Sequence, residues 1–404
     1  MNRLIAALAA LAIAPFALAQ ESQPAQPDPA ALEGKLTSLE EQYAETKAAV
    51  AALQKLKLSG YIQARWAYNE TGLPVGSGAN AYNTSPETAP GQNGFFIRRG
   101  RLKAVYNADL SDYVLQIDVT PNGVAIKEGY ATLKLPAGWA VDAGLQLFPF
   151  GYEVASRSSS DLDTLERARV TRAFAGGEYD LGVAVRGQIA KLVNVKVGVF
   201  NGNGVDSGQT GKDNDQLKDV IGRATVDLGM LTAGVSGWYG KTKNYARPDD
   251  KAYDRVRAAI DAQLYLDLLP IGGTALKGEW MWGRTTIGTN NANGGAGGNL
   301  PGLTSGAPVP TGNGWYALVT QNVLAHHQVA AKFEQYTPNL TASTEGATNT
   351  TVKTQRELQL ALHTYVGEGG KVTLAWFHPM NGKAGDKAVD PNADQYILQV
   401  QAKF

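Results

Sequence analysis

The run from Asp394 to Phe404 constrains this chain most. Tyr396, Leu398, Val400, Ala402 and Phe404 share one parity, while Gln395, Gln399, Gln401 and Lys403 share the other, with Ile397 the one apolar exception. Residues two apart lie on the same face of a β-strand, so this segment predicts a strand that is dry on one side and wet on the other. A dry outer face needs something apolar to lie against. Strands that meet lipid outside and water inside alternate in this manner.

The other terminus points the same way. Arg3 precedes an apolar run from Leu4 to Leu18, and Ala17-Leu18-Ala19 ends it before Gln20. A short positive region, an apolar core and small residues at a cut site predict a secretory signal peptide over residues 1–19. The run is too short to span a membrane and is broken by Pro15. No later apolar stretch approaches the roughly 20 residues that a membrane helix needs. A spanning chain of this kind must therefore close into a barrel, which pairs every backbone polar group. The absence of cysteine excludes disulfides and thiolate metal sites. With 37 basic and 37 acidic residues, the bulk charge selects no partner, nucleic acid included, so any preference for anions must come from arrangement.

Residues 20–31 hold three prolines and no periodicity, which reads as a flexible linker. Over residues 32–56, Leu32, Leu36, Leu39, Tyr43, Thr46, Val50 and Leu53 form an a/d seam, predicting a short coiled-coil helix, with a lone amphipathic helix as the alternative. From Lys57 the period becomes two. Sixteen alternating runs follow between residues 57 and 404, predicting an all-β fold: a 16-stranded antiparallel transmembrane barrel. The even number places both ends of the barrel domain on one side. Tight connections at Pro136-Ala137-Gly138, Ala190-Lys191-Leu192 and Gly229-Met230 alternate with long ones near 69–94, 149–179, 286–313 and 337–353. The third of these holds a glycine-rich run, Gly294 to Gly298, read as loop. Sixteen strands enclose water rather than filling with side chains.

Several motifs resemble one family. They are Gly144 to Gly151 (GLQLFPFG), Glu153, Ser158 to Ser160, Glu166-Arg167, Tyr179 to Val183 (YDLGV), Phe96 to Leu102 (FIRRGRL) and Phe200-Asn201-Gly202. Together they resemble the phosphate-selective porin O/P family across residues 57–404. The resemblance implies a homotrimeric channel in the outer membrane of a Gram-negative bacterium, passing phosphate or polyphosphate. One position departs: family members often carry a lysine two residues before the Pro-Phe pair, where this chain has Leu147. The final Phe404 also resembles the signal by which the barrel-assembly machinery recognises its clients.

Parity then nominates the residues that meet the ion. Arg99, Arg101 and Lys103 point into the lumen, about 6.6 Å apart along the strand, with Arg65 beside them on the preceding strand, while Phe96, Gly100 and Leu102 face lipid. Arg186, Lys196, Arg223, Arg257, Lys277 and Lys332 face inward by the same rule. Guanidinium suits this task, since it offers phosphate a planar fork and stays charged at any working pH. Inward acids also occur, among them Asp118, Glu128, Asp142, Asp261, Glu279 and Glu334, as a general porin would have. Arg157, Arg167, Arg169 and Arg172 on the 149–179 connection are constriction candidates, if that loop folds inward. Asp161 and Asp163 alone make a weak cation motif. The chain carries no hydrolase elbow and no zinc-protease motif, so neither an enzyme, a metal nor a cofactor is expected. Three readings stay open: an anion-biased porin, a general diffusion porin, and a tether between outer membrane and peptidoglycan.

Overall fold

A computed structural model of the chain describes residues 29–71, 90–121, 123–175, 178–202, 216–242, 252–284, 311–337, 340, 354–380 and 394–404. The segment read as a signal peptide, most of the proline-rich linker, the Gly294 to Gly298 run and most of the loops near 69–94, 286–313 and 337–353 lie outside these residues.

One helix, α1 (Pro29–Gln54), forms a unit by itself. Its Leu36, Leu39, Tyr43, Val50 and Leu53 side chains are exposed. Thr46, the polar position in that seam, donates its hydroxyl to Gln42 O at 2.7 Å.

Among the described residues, the second unit, Lys55–Phe404, is strand apart from its turns, one of them a short 3-10 helix at Pro136–Gly138, and the segment entering its lumen. The first half of the sheet comprises β1 (Leu56–Thr71), β2 (Pro90–Asn107), β3 (Ser111–Thr120), β4 (Gly123–Lys134), β5 (Ala140–Leu147), β6 (Tyr179–Ile189), β7 (Val193–Phe200) and β8 (Asp219–Asp227). The second comprises β9 (Leu231–Thr242), β10 (Tyr253–Leu269), β11 (Gly272–Arg284), β12 (Thr311–Val323), β13 (His327–Thr337), β14 (Gln355–Val366), β15 (Gly370–Pro379) and β16 (Gln395–Lys403). Each strand pairs antiparallel with its sequence neighbours, and β16 returns to β1, so the sheet is a closed 16-stranded barrel.

The closing seam depends on the terminal ring. Gly60 and Phe404 exchange backbone hydrogen bonds at 2.9 and 3.0 Å. A Cβ on Gly60 would lie 2.6 Å from the Phe404 ring, so only glycine leaves room for it there. The tight turns take a left-handed backbone even at residues that disfavour it. Ala190 and Lys191 have φ of 50° and 57°, a pair that matches the twist of the flanking strands.

The barrel is apolar outside and polar within. Leu58, Ile62, Leu102, Leu115, Val183, Val197, Val235 and Leu398 are exposed, whereas Gln63, Asp142, Asp261, Lys332, Glu334 and Glu357 are buried. A water-soluble protein would pay for both arrangements; a lipid-facing barrel is stabilised by them.

One parity assignment is corrected. Gln63 pairs with Arg99 but Ala64 pairs with Ile97, so Arg98 is an extra residue bulging from β2. Beyond the bulge the faces exchange. Phe95 is 86% exposed, while Phe96 sits opposite the inward Arg65 and packs against the buried core. Phe96 thus faces the lumen and not lipid.

Candidate functional site

The segment between β5 and β6 turns into the lumen. Gly151 makes the turn with φ of 73°, and its N–H donates to Ser236 Oγ at 3.1 Å. A side chain there would strike Glu279 Oε1, at 2.6 Å from the Cβ position. Two short helices follow, α2 (Tyr152–Ala155) and α3 (Arg169–Ala175). Tyr152 N–H donates to Glu279 Oε1 at 2.6 Å, and Ala168 N–H to Glu153 Oε2 at 2.6 Å, closing the loop on itself.

Apolar packing then seats it. Phe148 and Phe150 meet Trp238 edge-on at 4.9 and 5.6 Å, and Phe174 meets Tyr336 at 6.2 Å. All three phenylalanines are fully buried. Each such burial stabilises by roughly 1.5–3 kcal/mol, so the loop is an integral layer of the lumen.

Charge fixes its position. Glu166 receives Arg65 Nη1 at 2.6 Å and Arg98 Nε at 3.0 Å, with Arg99 Nη2 at 3.6 Å. Arg65 also donates to Gln399 at 2.7 Å and to Leu165 O at 3.1 Å. Across the lumen Arg169 pairs with Glu357 at 2.6 Å and Glu334 at 3.4 Å, and Arg172 adds charge near Glu334. Lys332 Nζ donates to Glu166 O at 2.9 Å, and Lys371 Nζ to Ser160 O at 2.8 Å. His363 Nε2 donates to Asp163 O at 2.8 Å, since a carbonyl can only accept. Arg167 pairs with Glu178 within the loop at 2.8 Å. Asp163 is held by Lys277 at 2.8 Å and Arg157 at 3.4 Å, which leaves the weak cation motif occupied by side chains. Among the described residues no group of acids and histidines is placed to hold a metal.

The arginines nominated from the sequence therefore divide into two sets. Arg65, Arg99 and Arg101 are buried, the last between Asp118 at 3.3 Å and the Tyr179 hydroxyl at 2.9 Å. Arg223 grips Asp261 with two nitrogens at 2.6 and 2.9 Å. Arg257 stacks 4.4 Å over Trp238 and donates to Phe174 O. These hold the loop and the wall. A second set borders open space. A cavity of about 440 Å³ runs beside the loop along β4 to β8, lined in part by Tyr130, Phe148, Arg186 and Lys196. The Arg186 side chain is 46% exposed and Lys196 27%, against 3% for Arg65 and 7% for Arg99, so the cavity borders the first pair and not the second. Arg186 and Lys196 share one carboxylate, Asp142, at 3.0 and 3.2 Å. Lys103, 29% exposed, pairs with Glu128 at 2.5 Å.

Sequence parity missed Arg98. Its signal is the doublet Arg98-Arg99, two cations in succession where a period of two permits one per face. Glu166 stood out in sequence only within the Glu166-Arg167 motif, with no partner assigned to it.

A closed barrel of this size, with a loop folded into a charged lumen, defines the class of outer-membrane porins. Solved structures with this fold include an anion-selective porin from Comamonas acidovorans, with 13% identity, a TM-score of 0.60, and coverage of 86% of this chain and 99% of that one. The outer membrane channel DcaP of Acinetobacter baumannii shares 12% identity with a TM-score of 0.58, covering 86% and 97%. The trimer form of OmpT from Vibrio cholerae shares 11% at 0.54, covering 86% and 99%. No curated protein matches the chain. Residues 70–267 match the model of the phosphate-selective porin O and P family, and this match together with the fold supports an outer-membrane channel for passive diffusion.

The loop's carboxylates set how the seat responds to acid. Burial alone would raise Glu166, but Arg98, Arg65 and Arg99 hold it well below the usual carboxylate range. Burial likewise opposes Arg167 at Glu178, and Arg167 prevails, bringing Glu178 down to about 2. Both groups titrate lower in the seated loop than in a free chain. Their contribution is therefore complete above the ordinary Glu value of ~4.3 and is lost as pH falls through the seated values. The Glu166 and Glu178 contacts are expected to keep their strength from pH 8 to pH 5 and to weaken only below about pH 4, where single-channel conductance should become noisy. Conductance that stays quiet at pH 3 would contradict this seating.

Proposed function

We propose that the chain forms an anion-biased outer-membrane channel taking up phosphate or similar small anions by passive diffusion. One observation carries this reading: at two places in the lumen, cations outnumber the acid that they face. Three guanidiniums surround Glu166, and Arg186 and Lys196 share Asp142. An excess of fixed positive charge in a narrow aqueous path draws anions in, because protein walls weaken screening there. The anion selectivity of the Comamonas porin, which shares the fold, supports it.

The oxyanion preference rests on a second feature beside the loop seat. Tyr61 lies opposite Arg101 in the β1–β2 register, and Gln63 lies opposite Arg99 and donates to Ser159 O at 3.2 Å. The Tyr61 hydroxyl and Ser159 Oγ are buried, and among the described residues neither has a hydrogen-bond partner. They lie in the loop seat with the buried Arg99 and Arg101, off the open cavity, so a phosphate, which accepts from hydroxyl and guanidinium alike, engages them only when the loop yields.

In this reading the protein is a homotrimer set in outer-membrane lipid, like the trimer form of OmpT whose fold it shares. Its exposed α1 seam pairs with other copies as a periplasmic coiled coil, residues 1–19 direct export, and Phe404 engages the barrel-assembly machinery. Phosphate titrated into chloride solution on both sides of a bilayer is expected to reduce the chloride current saturably, with Tyr61→Phe and Ser159→Ala together weakening that block several-fold. A chloride current insensitive to phosphate would leave a general diffusion porin as the better account. That rival is favoured by the near-complete pairing of the wall's charges.

A further inference from the structure

Two rows of side chains cross the wall of the open cavity on β6, β7 and β8. Arg186 lies opposite Lys196 and Lys196 opposite Arg223, which makes a row of cations. Two residues along each strand, Gln188 lies opposite Asn194 and Asn194 opposite Thr225. All six line the same cavity of about 440 Å³, within the range of sites that hold organic molecules, roughly 300–1,000 Å³. The rows stand about 6.6 Å apart, and neighbours within a row about 4.8 Å. Of the charges there, Glu128 is taken by Lys103 and Arg223 by Asp261. Arg186 and Lys196 have only Asp142 between them, which leaves the first row with one positive charge uncompensated.

The second row is unlike the polar wall elsewhere in the lumen. Gln63 bonds to Gln401 at 2.7 Å, Gln359 to Glu357 at 2.6 Å and Thr373 to His363 at 2.8 Å. Among the described residues, the Gln188, Asn194 and Thr225 side chains have no hydrogen-bond partner in the protein and are left to water. A solute hydroxyl donates and accepts as water does, so it can take that water's place. A small inorganic anion engages one row at a time. A carboxylate on an alkyl body would strip water from the second row and return no hydrogen bond. A carboxylate on a polyhydroxylated body answers both rows at once. We infer that the two rows form a transit site for polyhydroxylated carboxylates, the sugar acids, with the carboxylate at Arg186 and Lys196 and the hydroxyls along Gln188, Asn194 and Thr225. The inference rests on the anion-biased reading above and names a substrate class for the cavity.

Gluconate and hexanoate are carboxylates of equal charge and chain length, one with hydroxyls along its body and one without, so comparing them isolates the second row. The full-length protein in planar bilayers, bathed in symmetrical KCl, is titrated with each. Gluconate is expected to half-block the chloride current at a concentration about fivefold below that for hexanoate, a factor equivalent to ~1 kcal/mol, the net value of one hydrogen bond. Gln188→Leu with Asn194→Leu should shrink that advantage to less than about twofold. Equal block by the two anions, tighter block by hexanoate, or an advantage that survives both substitutions overturns the inference even though the channel stays anion-biased. A reversal potential of zero or of cationic sign across a KCl gradient overturns the anion-biased reading itself, and this inference with it. The comparison in the unmodified protein stands whether or not the variant folds.

Discussion

Glu166→Gln is expected to raise the single-channel conductance at least twofold and to make it fluctuate. The native carboxylate is buried and surrounded by Arg65, Arg98 and Arg99. Removing one side of a buried ion pair costs about 3–5 kcal/mol, because the partner charge is left unpaired in low dielectric. Here three guanidiniums would be stranded together, repelling one another. The apolar seat of Phe148, Phe150 and Phe174 remains, so the loop should loosen at its Glu166 end and not leave altogether. Relief should come from removing a stranded charge: Glu166→Gln with Arg98→Gln should recover part of the native conductance. Neither change touches the backbone pairing that closes the barrel, so both variants should still show heat-dependent gel mobility. An unchanged conductance in the single variant would show that the aromatic seat alone positions the loop.

Arg186→Glu with Lys196→Glu is expected to reverse the channel's preference from chloride to potassium. These are the partly exposed cations beside the cavity. A unit charge about 10 Å from a passing ion contributes ~0.8 kcal/mol at an effective dielectric of about 40. Two reversals amount to four charge units, on the order of 3 kcal/mol, enough to lower the chloride-over-potassium permeability ratio by tenfold or more. The comparison is Arg99→Glu with Arg101→Glu. The sequence alone nominates that pair for the same role, yet the structure buries both beside Glu166 and Asp118. That variant should act chiefly through the loop, changing conductance and noise before selectivity. If it shifts the reversal potential further than the Arg186/Lys196 variant does, the passage runs along β1 and β2 instead.

The barrel was legible because lipid and water impose opposite demands on alternate residues, and the demand repeats on every strand. Tyr396 to Phe404 shows it as plainly in sequence as β16 does in structure. Three things were not legible, each for a physical reason. The bulge at Arg98 shifts the faces by one residue, and parity carried past it put Phe96 on the wrong side. The loop's entry into the lumen depends on pairs far apart in the chain, such as Glu166 with Arg65 and Asp163 with Lys277, and no local period records them. Finally, parity says which way a cation points but not whether an acid already occupies it. Arg65 and Arg186 look alike in sequence; Glu166 covers the first, while half of the second remains open to water.

The central claim is a water-filled path whose fixed charge favours anions, and the zero-current potential across a KCl gradient tests it most directly. With the purified protein in a planar bilayer and tenfold more KCl on one side, the account predicts a potential whose sign shows chloride to be more permeant than potassium. That sign should weaken as ionic strength rises, because screening shortens the reach of Arg186 and Lys196. A potential near zero, one of cationic sign, or no conductance at all would contradict it.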